Sequence, residues 1–223
     1  MLRVLLGIAV ALLPHRVKVL ALRRLFGFAV DRSASIGFSL VMPRRLVMGP
    51  NSRIGHLTVI RGISQVVLGD SALLGNLNWI TGQPLSADTA AFADQPNRRP
   101  KLTIGDHAAV TNRHLLDCTD AIVIGRFATF AGFRSQVLTH SISLAESRQR
   151  CMPVVIGDYA FVGTGAIILP GSRLPAYSVL GAGSVLNAEY VEEHWLYAGN
   201  PARPVKQLSQ DTAYFSRTTG YVI

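Results

Sequence analysis

The sequence predicts an all-β solenoid, and two regularities carry that prediction. Between Ile156 and Leu186 an aliphatic residue recurs at every sixth position: Ile156, Val162, Ile168, Leu174, Leu180 and Leu186. Four residues after each of the first five stands a small one: Ala160, Ala166, Ser172, Ser178 and Ser184. A helix cannot use this period, because at about 3.6 residues per turn the aliphatic positions drift round the cylinder. A long strand would point them one way, but Gly and Pro interrupt it every half-dozen residues. A chain that turns a corner every six residues, and closes one coil in three corners, satisfies both facts. The aliphatic residue fills the centre and the small one leaves room where the walls converge. Gly157, Gly163 and Gly181 suit corners where a β-carbon would be crowded. This is the pattern of a parallel β-helix built from hexapeptide repeats.

The composition agrees with one folded domain. The chain has 223 residues, 49% of them apolar, which is enough for a full core and argues against disorder. The net charge of +9 is unevenly placed. Residues 1–69 hold ten Lys and Arg against Asp31 alone, and residues 70–223 hold twelve of each sign. The basicity therefore belongs to the front of the molecule and makes no general nucleic-acid groove. Two cysteines, Cys118 and Cys151, form no disulfide framework, so a reducing cytoplasm is the expected compartment.

Taken in order, residues 1–30 read as a helical segment outside the repeat. Val4 to Leu13 is an unbroken apolar run, followed by Pro14 and a basic amphipathic stretch from Arg16 to Phe26. The run is short of the roughly twenty residues that span a bilayer and lacks a small-residue cleavage site. It would either lie in an anionic membrane surface, with Arg16, Lys18, Arg23 and Arg24 on the headgroups, or pack across the open end of the solenoid. Residues 31–188 read as the β-helix, weak near Ile36 and legible from Met48. The steps from Met48 to Leu68 and from Ile54 to Leu74 give coils with extra corner residues. Residues 82–101, polar and holding Pro84, Pro96 and Pro100, read as a loop ejected from the coil. A second interruption runs from His140 to Pro153. From Glu189 the chain would leave the repeat, and residues 189–223 would pack on the outside.

Solenoid cores are chemically bland, so distinctive chemistry is expected where the repeat is interrupted. Of six histidines, His15, His56, His107 and His194 fall in the helical region, at coil corners and in the tail. His114 takes a seat usually given to a small residue, and Arg134 would take the same seat one coil on, forming a polar stack. His140 differs, because it stands where the coil stops and an insertion starts. An imidazole there is partly neutral near its ordinary pKa and can accept a proton from a hydroxyl. The Gly-Asp pairs at 69–70, 105–106 and 157–158 read as corner chemistry and not as phosphate loops.

The block IGDYAFVGTGAIILPGSRLPAYSVLGAGSVL, followed by YAGNPARPVK, resembles the hexapeptide-repeat acyltransferases. It is most similar to the sugar and polysaccharide O-acetyltransferases of the galactoside, maltose and colanic-acid types. The resemblance is specific from Ile104 to Lys206, looser from Ile36 to Gly82, and does not reach the amino-terminal helices. It implies a left-handed parallel β-helix. It also implies that His140, in the pair Thr139-His140, is the general base, accompanied by Asn112 and Asp117. Ser141 replaces the family's usual proline. The implied reaction is direct transfer from acetyl-CoA to a sugar hydroxyl, with no metal and no acyl-enzyme. Family members are homotrimers whose coenzyme lies between neighbouring β-helices. The positions matching that groove are Phe161, where a tryptophan is usual, with Thr164, Ala182 and Asn187; Arg203 matches a phosphate-side cation. Ala188 stands where a lysine is common, so Lys206 would assist Arg203.

Three other readings share the fold. A γ-class carbonic anhydrase needs His-x4-His, but Ala145 stands five residues after His140. A non-catalytic scaffold would not need Thr139-His140 at a loop boundary. An N-acyltransferase of amino sugars or antibiotics would keep the base and change the acceptor. The basic front end suggests an enzyme peripheral to the inner face of the cytoplasmic membrane. Its acceptor would then be a lipid- or nucleotide-linked glycan of surface-polysaccharide biosynthesis.

Overall fold

The structure, a computed structural model, describes residues 2–85 and 90–222. Residues 86–89, within the first insertion, lie outside the described residues, as do Met1 and Ile223. The chain folds as a left-handed parallel β-helix of hexapeptide repeats, a three-sided prism. The first face stacks seven strands from Ala29–Val30 to Arg173–Leu174, and the third stacks seven from Leu40–Met42 to Val185–Leu186. The second stacks nine, from Ser35–Ile36 to Ala202–Gln207.

The six-residue period explains this directly. Each aliphatic residue sits on the inner side of one face and lies in register with its counterpart in the next coil. Thus Ile156 pairs with Leu174, Val162 with Leu180 and Ile168 with Leu186. All six are buried, as are Ala160, Ala166, Ser172, Ser178 and Ser184 at the converging walls. Each fully buried aliphatic contributes about 1.5–3 kcal/mol of transfer free energy, so the stacked columns carry the stability. The corner glycines answer to close approach: a β-carbon on Gly157 would lie 2.3 Å from the Ala176 nitrogen.

One corner column has a second device. Between the first and second faces, His107, Phe127, Tyr159, Tyr177 and His194 all adopt left-handed backbone geometry, with φ between 54° and 60°. Their rings stack in sequence at centroid separations of 4.8, 4.7, 5.3 and 5.1 Å. Aromatic pairs contribute about 0.5–1.5 kcal/mol beyond area burial, which offsets a left-handed cost of similar size.

Helix α1 (Leu2–Ala11) and helix α2 (His15–Phe26) pack across the first coil. Val10, Val19 and Leu22 join the core beside Phe28 and Val30. Gly27, at φ 66°, ends α2 by returning its N–H to the Leu22 carbonyl. No helix among the described residues is long and apolar enough to cross a membrane.

Three details differ from the sequence expectation. Arg134 does not share the seat of His114. The second-face strand Thr129–Phe133 carries an irregularity, so Asn112 pairs with Phe133 and Leu115 with Gln136. Ser135 therefore occupies the His114 seat, and Arg134 is exposed, aligned with Arg113. The tail also stays in the coil longer than expected. Glu189 bridges to Arg173, and Trp195–Gly199 adds a parallel strand to the second face with Tyr197 in the core. The chain then reverses into Ala202–Gln207 before residues 213–216 pack outside. Finally, the second interruption is an ordered antiparallel hairpin, His140–Ser143 with Arg148–Cys151, whose root pairs His140 with Cys151.

Candidate active site

The third face ends one of its strands at Asp117, and the strand directly above ends at Leu138, its register partner. One residue later the upper chain abandons the coil. Thr139 is buried at that corner, where its hydroxyl donates to the Asp117 carbonyl at 2.8 Å and accepts the Asp120 N–H at 2.9 Å. This fixes the direction in which the hairpin leaves and sets His140 over the Asp117 carboxylate.

The carboxylate is saturated with donors. Oδ1 accepts the Thr119 hydroxyl at 2.7 Å and the Thr119 N–H at 3.2 Å. Oδ2 accepts the Thr139 N–H at 3.3 Å and pairs with His140 Nδ1. Burial pushes the Asp117 carboxyl up, but the bonds from His140 and Thr119 outweigh it and hold the group below the usual carboxylate range. In return the Asp117 hydrogen bond raises the His140 imidazole above its ordinary value, with burial opposing. Nδ1 facing a carboxylate carries the proton, so Nε2 of the neutral ring is an acceptor. The His140 side chain is 39% exposed, so it is open to solvent.

Both insertions wall this histidine. The Phe92 ring meets the His140 ring edge-on at 6.2 Å. Gln95 pins the first insertion to the hairpin root, accepting the Cys151 N–H at 3.1 Å and donating to its carbonyl at 3.2 Å. Asp94 pairs with Arg150 and, at 3.4 Å, with Arg148. Buried Arg98 lies 4.8 Å from the Phe92 ring centre and donates to the Pro84 and Thr119 carbonyls at 3.3 and 3.2 Å. Sequence reasoning passed over Phe92, Gln95, Arg98 and Thr119. Only Thr119 left a signal, since an acidic residue two before a threonine is an Asx-turn pattern.

The other expected residues are spread out. Asn112 is exposed at the corner between the second and third faces, where Oδ1 accepts the Asn76 N–H at 2.8 Å. That bond serves the corner ladder, away from the Asp117–His140 pair. Thr164 and Ala182 stack at this same corner, with Thr164 bonded to the Phe133 backbone. Phe161 lies on the outer second face, its ring 5.8 Å from Tyr214 of the tail. Asn187 follows Leu186 on the corner that carries His140, and Arg203 and Lys206 lie on the last strand, Ala202–Gln207. One chain does not gather these six into one pocket.

His114 is a core group. Its Nδ1 accepts the Ser135 N–H at 3.1 Å, Nε2 contacts Thr111 Oγ1 at 3.0 Å, and burial lowers its pKa to about 4. Neither thiol is primed for nucleophilic attack. Burial raises Cys118 well above its usual value and Cys151 to about 11. Among the described residues, no three His, Cys, Asp or Glu side chains group as metal ligands.

No family model matches the chain. A Saccharomyces cerevisiae protein carrying the name "Putative acetyltransferase" is 37% identical over 70 residues, which are 31% of this chain and 34% of that protein. A Schizosaccharomyces pombe protein of the same name is 33% identical over 60 residues, 27% of this chain and 28% of the other. The matched segment thus spans about a third of the first of these relatives' length. Among solved structures, AntD, an N-acyltransferase from Bacillus cereus in complex with dTDP and 3-hydroxybutyryl-CoA, superposes with a TM-score of 0.53. The identity is 14%, over 81% of this chain and 83% of that one. What is shared at that identity is the fold.

Proposed function

We propose that the chain is an acetyl-CoA-dependent O-acetyltransferase acting on a sugar hydroxyl. The observation that carries this reading is the Asp117–His140 pair, set at the interruption of the coil with the imidazole partly exposed. In the reaction, Nε2 removes the proton of the acceptor hydroxyl as its oxygen attacks the thioester carbonyl. Asp117 holds the ring by Nδ1 and stabilises the imidazolium that forms. The tetrahedral intermediate then expels the coenzyme thiolate, which takes the proton from His140. Protonated thiols at Cys118 and Cys151 fit a mechanism without an acyl-enzyme.

The scatter of Phe161, Thr164, Ala182, Asn187, Arg203 and Lys206 over one chain fits a coenzyme groove completed by a second copy, as in a homotrimer. The names of the yeast relatives support acetyl transfer. The AntD likeness supports a scaffold able to present a coenzyme thioester and a nucleotide. In this reading the enzyme is cytoplasmic and meets the inner face of the membrane through residues 1–26, where lipid-linked precursors of surface polysaccharide are assembled.

The test measures thiol release from acetyl-CoA with a panel of nucleotide- and lipid-linked sugars. Acceptor-dependent release by the wild type, abolished in His140→Ala, supports the reading. Equal background rates in both proteins reject it in favour of a scaffold, and release only with amino sugars converts it to N-acylation.

A further inference from the structure

The helix hairpin uses only part of its apolar surface to cover the prism. Val10, Val19 and Leu22 face the core. Leu5 and Ile8 of α1, Leu12 just after it, and Val17 and Leu20 of α2 are exposed, at 58, 48, 70, 50 and 55% respectively. Beside this apolar end, where α2 meets the first two coils, lies a cavity of about 370 Å³. Its polar side chains are His15, Lys18, Ser35, Arg53 and His56, with no carboxylate among the lining residues.

Two of these groups are built in. Lys18 is only 2% exposed, donates to the Gly37 carbonyl at 2.6 Å, and holds its ammonium 4.9 Å from the Phe38 ring centre. An ammonium has three donors, so one carbonyl leaves others for the cavity that Lys18 lines. Burial lowers its pKa, a cost that a neighbouring anion would relieve. His56 accepts the Phe38 N–H on Nδ1 at 3.2 Å, which puts the neutral ring's proton on Nε2 and makes a donor of that nitrogen. A structural lid alone would not need an apolar outer ridge, a buried lysine and a carboxylate-free cationic crevice side by side.

We propose that this crevice holds the phosphate of an anionic phospholipid while the ridge of Leu5, Ile8, Leu12, Val17 and Leu20 enters the acyl boundary. The inference rests on the membrane reading above and adds a defined headgroup site to it. The sign of the charge is complementary: residues 1–69 hold ten Lys and Arg against Asp31 alone, a balance that favours an anionic surface. The consequence is orientation, because a seated headgroup next to the first coil fixes how the prism stands on the bilayer.

The experiment is co-sedimentation of the full chain with vesicles of phosphatidylcholine alone, or with phosphatidylglycerol added, at physiological salt. Surface cations contribute about fivefold each to anionic-membrane affinity. Arg53→Gln with His15→Gln is expected to lose at least tenfold in phosphatidylglycerol-dependent binding and to keep binding to neutral vesicles. Arg53→Lys should retain most of the anionic preference, and unchanged melting curves exclude misfolding. Arg23→Gln, outside the crevice, removes one cation as Arg53→Gln does and sets the loss of about fivefold that diffuse charge alone explains. An equal loss in the crevice variant and this control overturns the site, as does wild-type binding that ignores phosphatidylglycerol; both results leave the membrane reading standing. Failure of the wild type to sediment with either vesicle overturns that reading and the site together, and leaves a second copy of the chain as occupant of the ridge.

Discussion

Thr139 donates its hydroxyl to the Asp117 carbonyl at 2.8 Å, and the next residue, His140, pairs with the carboxylate of that same aspartate. One residue pair thus performs two tasks at the point where the coil breaks. The first bond anchors the departing chain to the coil below. The second holds the imidazole by Nδ1, which favours the tautomer with the proton there and leaves Nε2 as the acceptor. Second-coil support of this kind decides whether a base is held within the narrow limits that proton transfer requires.

Replacing His140 by Ala should lower acceptor-dependent thiol release by about 10²–10⁴-fold, the usual contribution of a positioned general base. Steady-state kinetics with an active acceptor checks this. Circular dichroism should be unchanged, because the side chain is partly exposed and outside the core columns.

Asp117→Asn should act through pH. The Asp117 hydrogen bond raises the His140 pKa, so in the wild type kcat/KM climbs as pH rises through a value above the ordinary 6.5. Without the carboxylate, the acid limb should move to lower pH and the plateau should fall by about 10–100-fold, as expected for loss of an orienting partner. A limb that stays in place would mean that His140 is not the titrating base.

His114 should make the protein acid-labile by a separate route. Its folded pKa, about 4, lies below the ordinary 6.5, so the unfolded state binds the proton first. Stability from the neutral buried ring is complete above about pH 6.5 and is lost as pH falls towards 4, on the order of 3 kcal/mol in all. Denaturant unfolding across this window should show the slope in the wild type and a shallower one in His114→Gln.

Gly157→Ala should destabilise the β-helix without touching the site. The added methyl would lie 2.3 Å from the Ala176 nitrogen and 2.6 Å from its α-carbon, both backbone atoms of the next coil. Overpacking against rigid backbone costs about 1–3 kcal/mol, readable as a lower urea midpoint with an unchanged slope.

The six-residue period, its small partners and its corner glycines determined the prism by themselves. Local spacing dictates a stacked solenoid wherever each coil contacts only its neighbours, so Ile156 to Leu186 was legible residue by residue. The sequence also marked His140, because an interrupted repeat is visible as a break in period. Tertiary structure decided everything that depends on meetings between distant or aperiodic segments. Phe92 and Gln95 reach His140 and its hairpin only because two insertions fold against each other, and Arg98 meets Thr119 because the first insertion folds back on the coil. Arg134 lost the His114 seat to Ser135 because one irregular residue in Thr129–Phe133 shifted the register, a slip that no periodicity could count. Asn112 went to a corner ladder for the same reason that Asp117 met His140: register across coils, set by backbone hydrogen bonding, chooses neighbours that sequence distance does not.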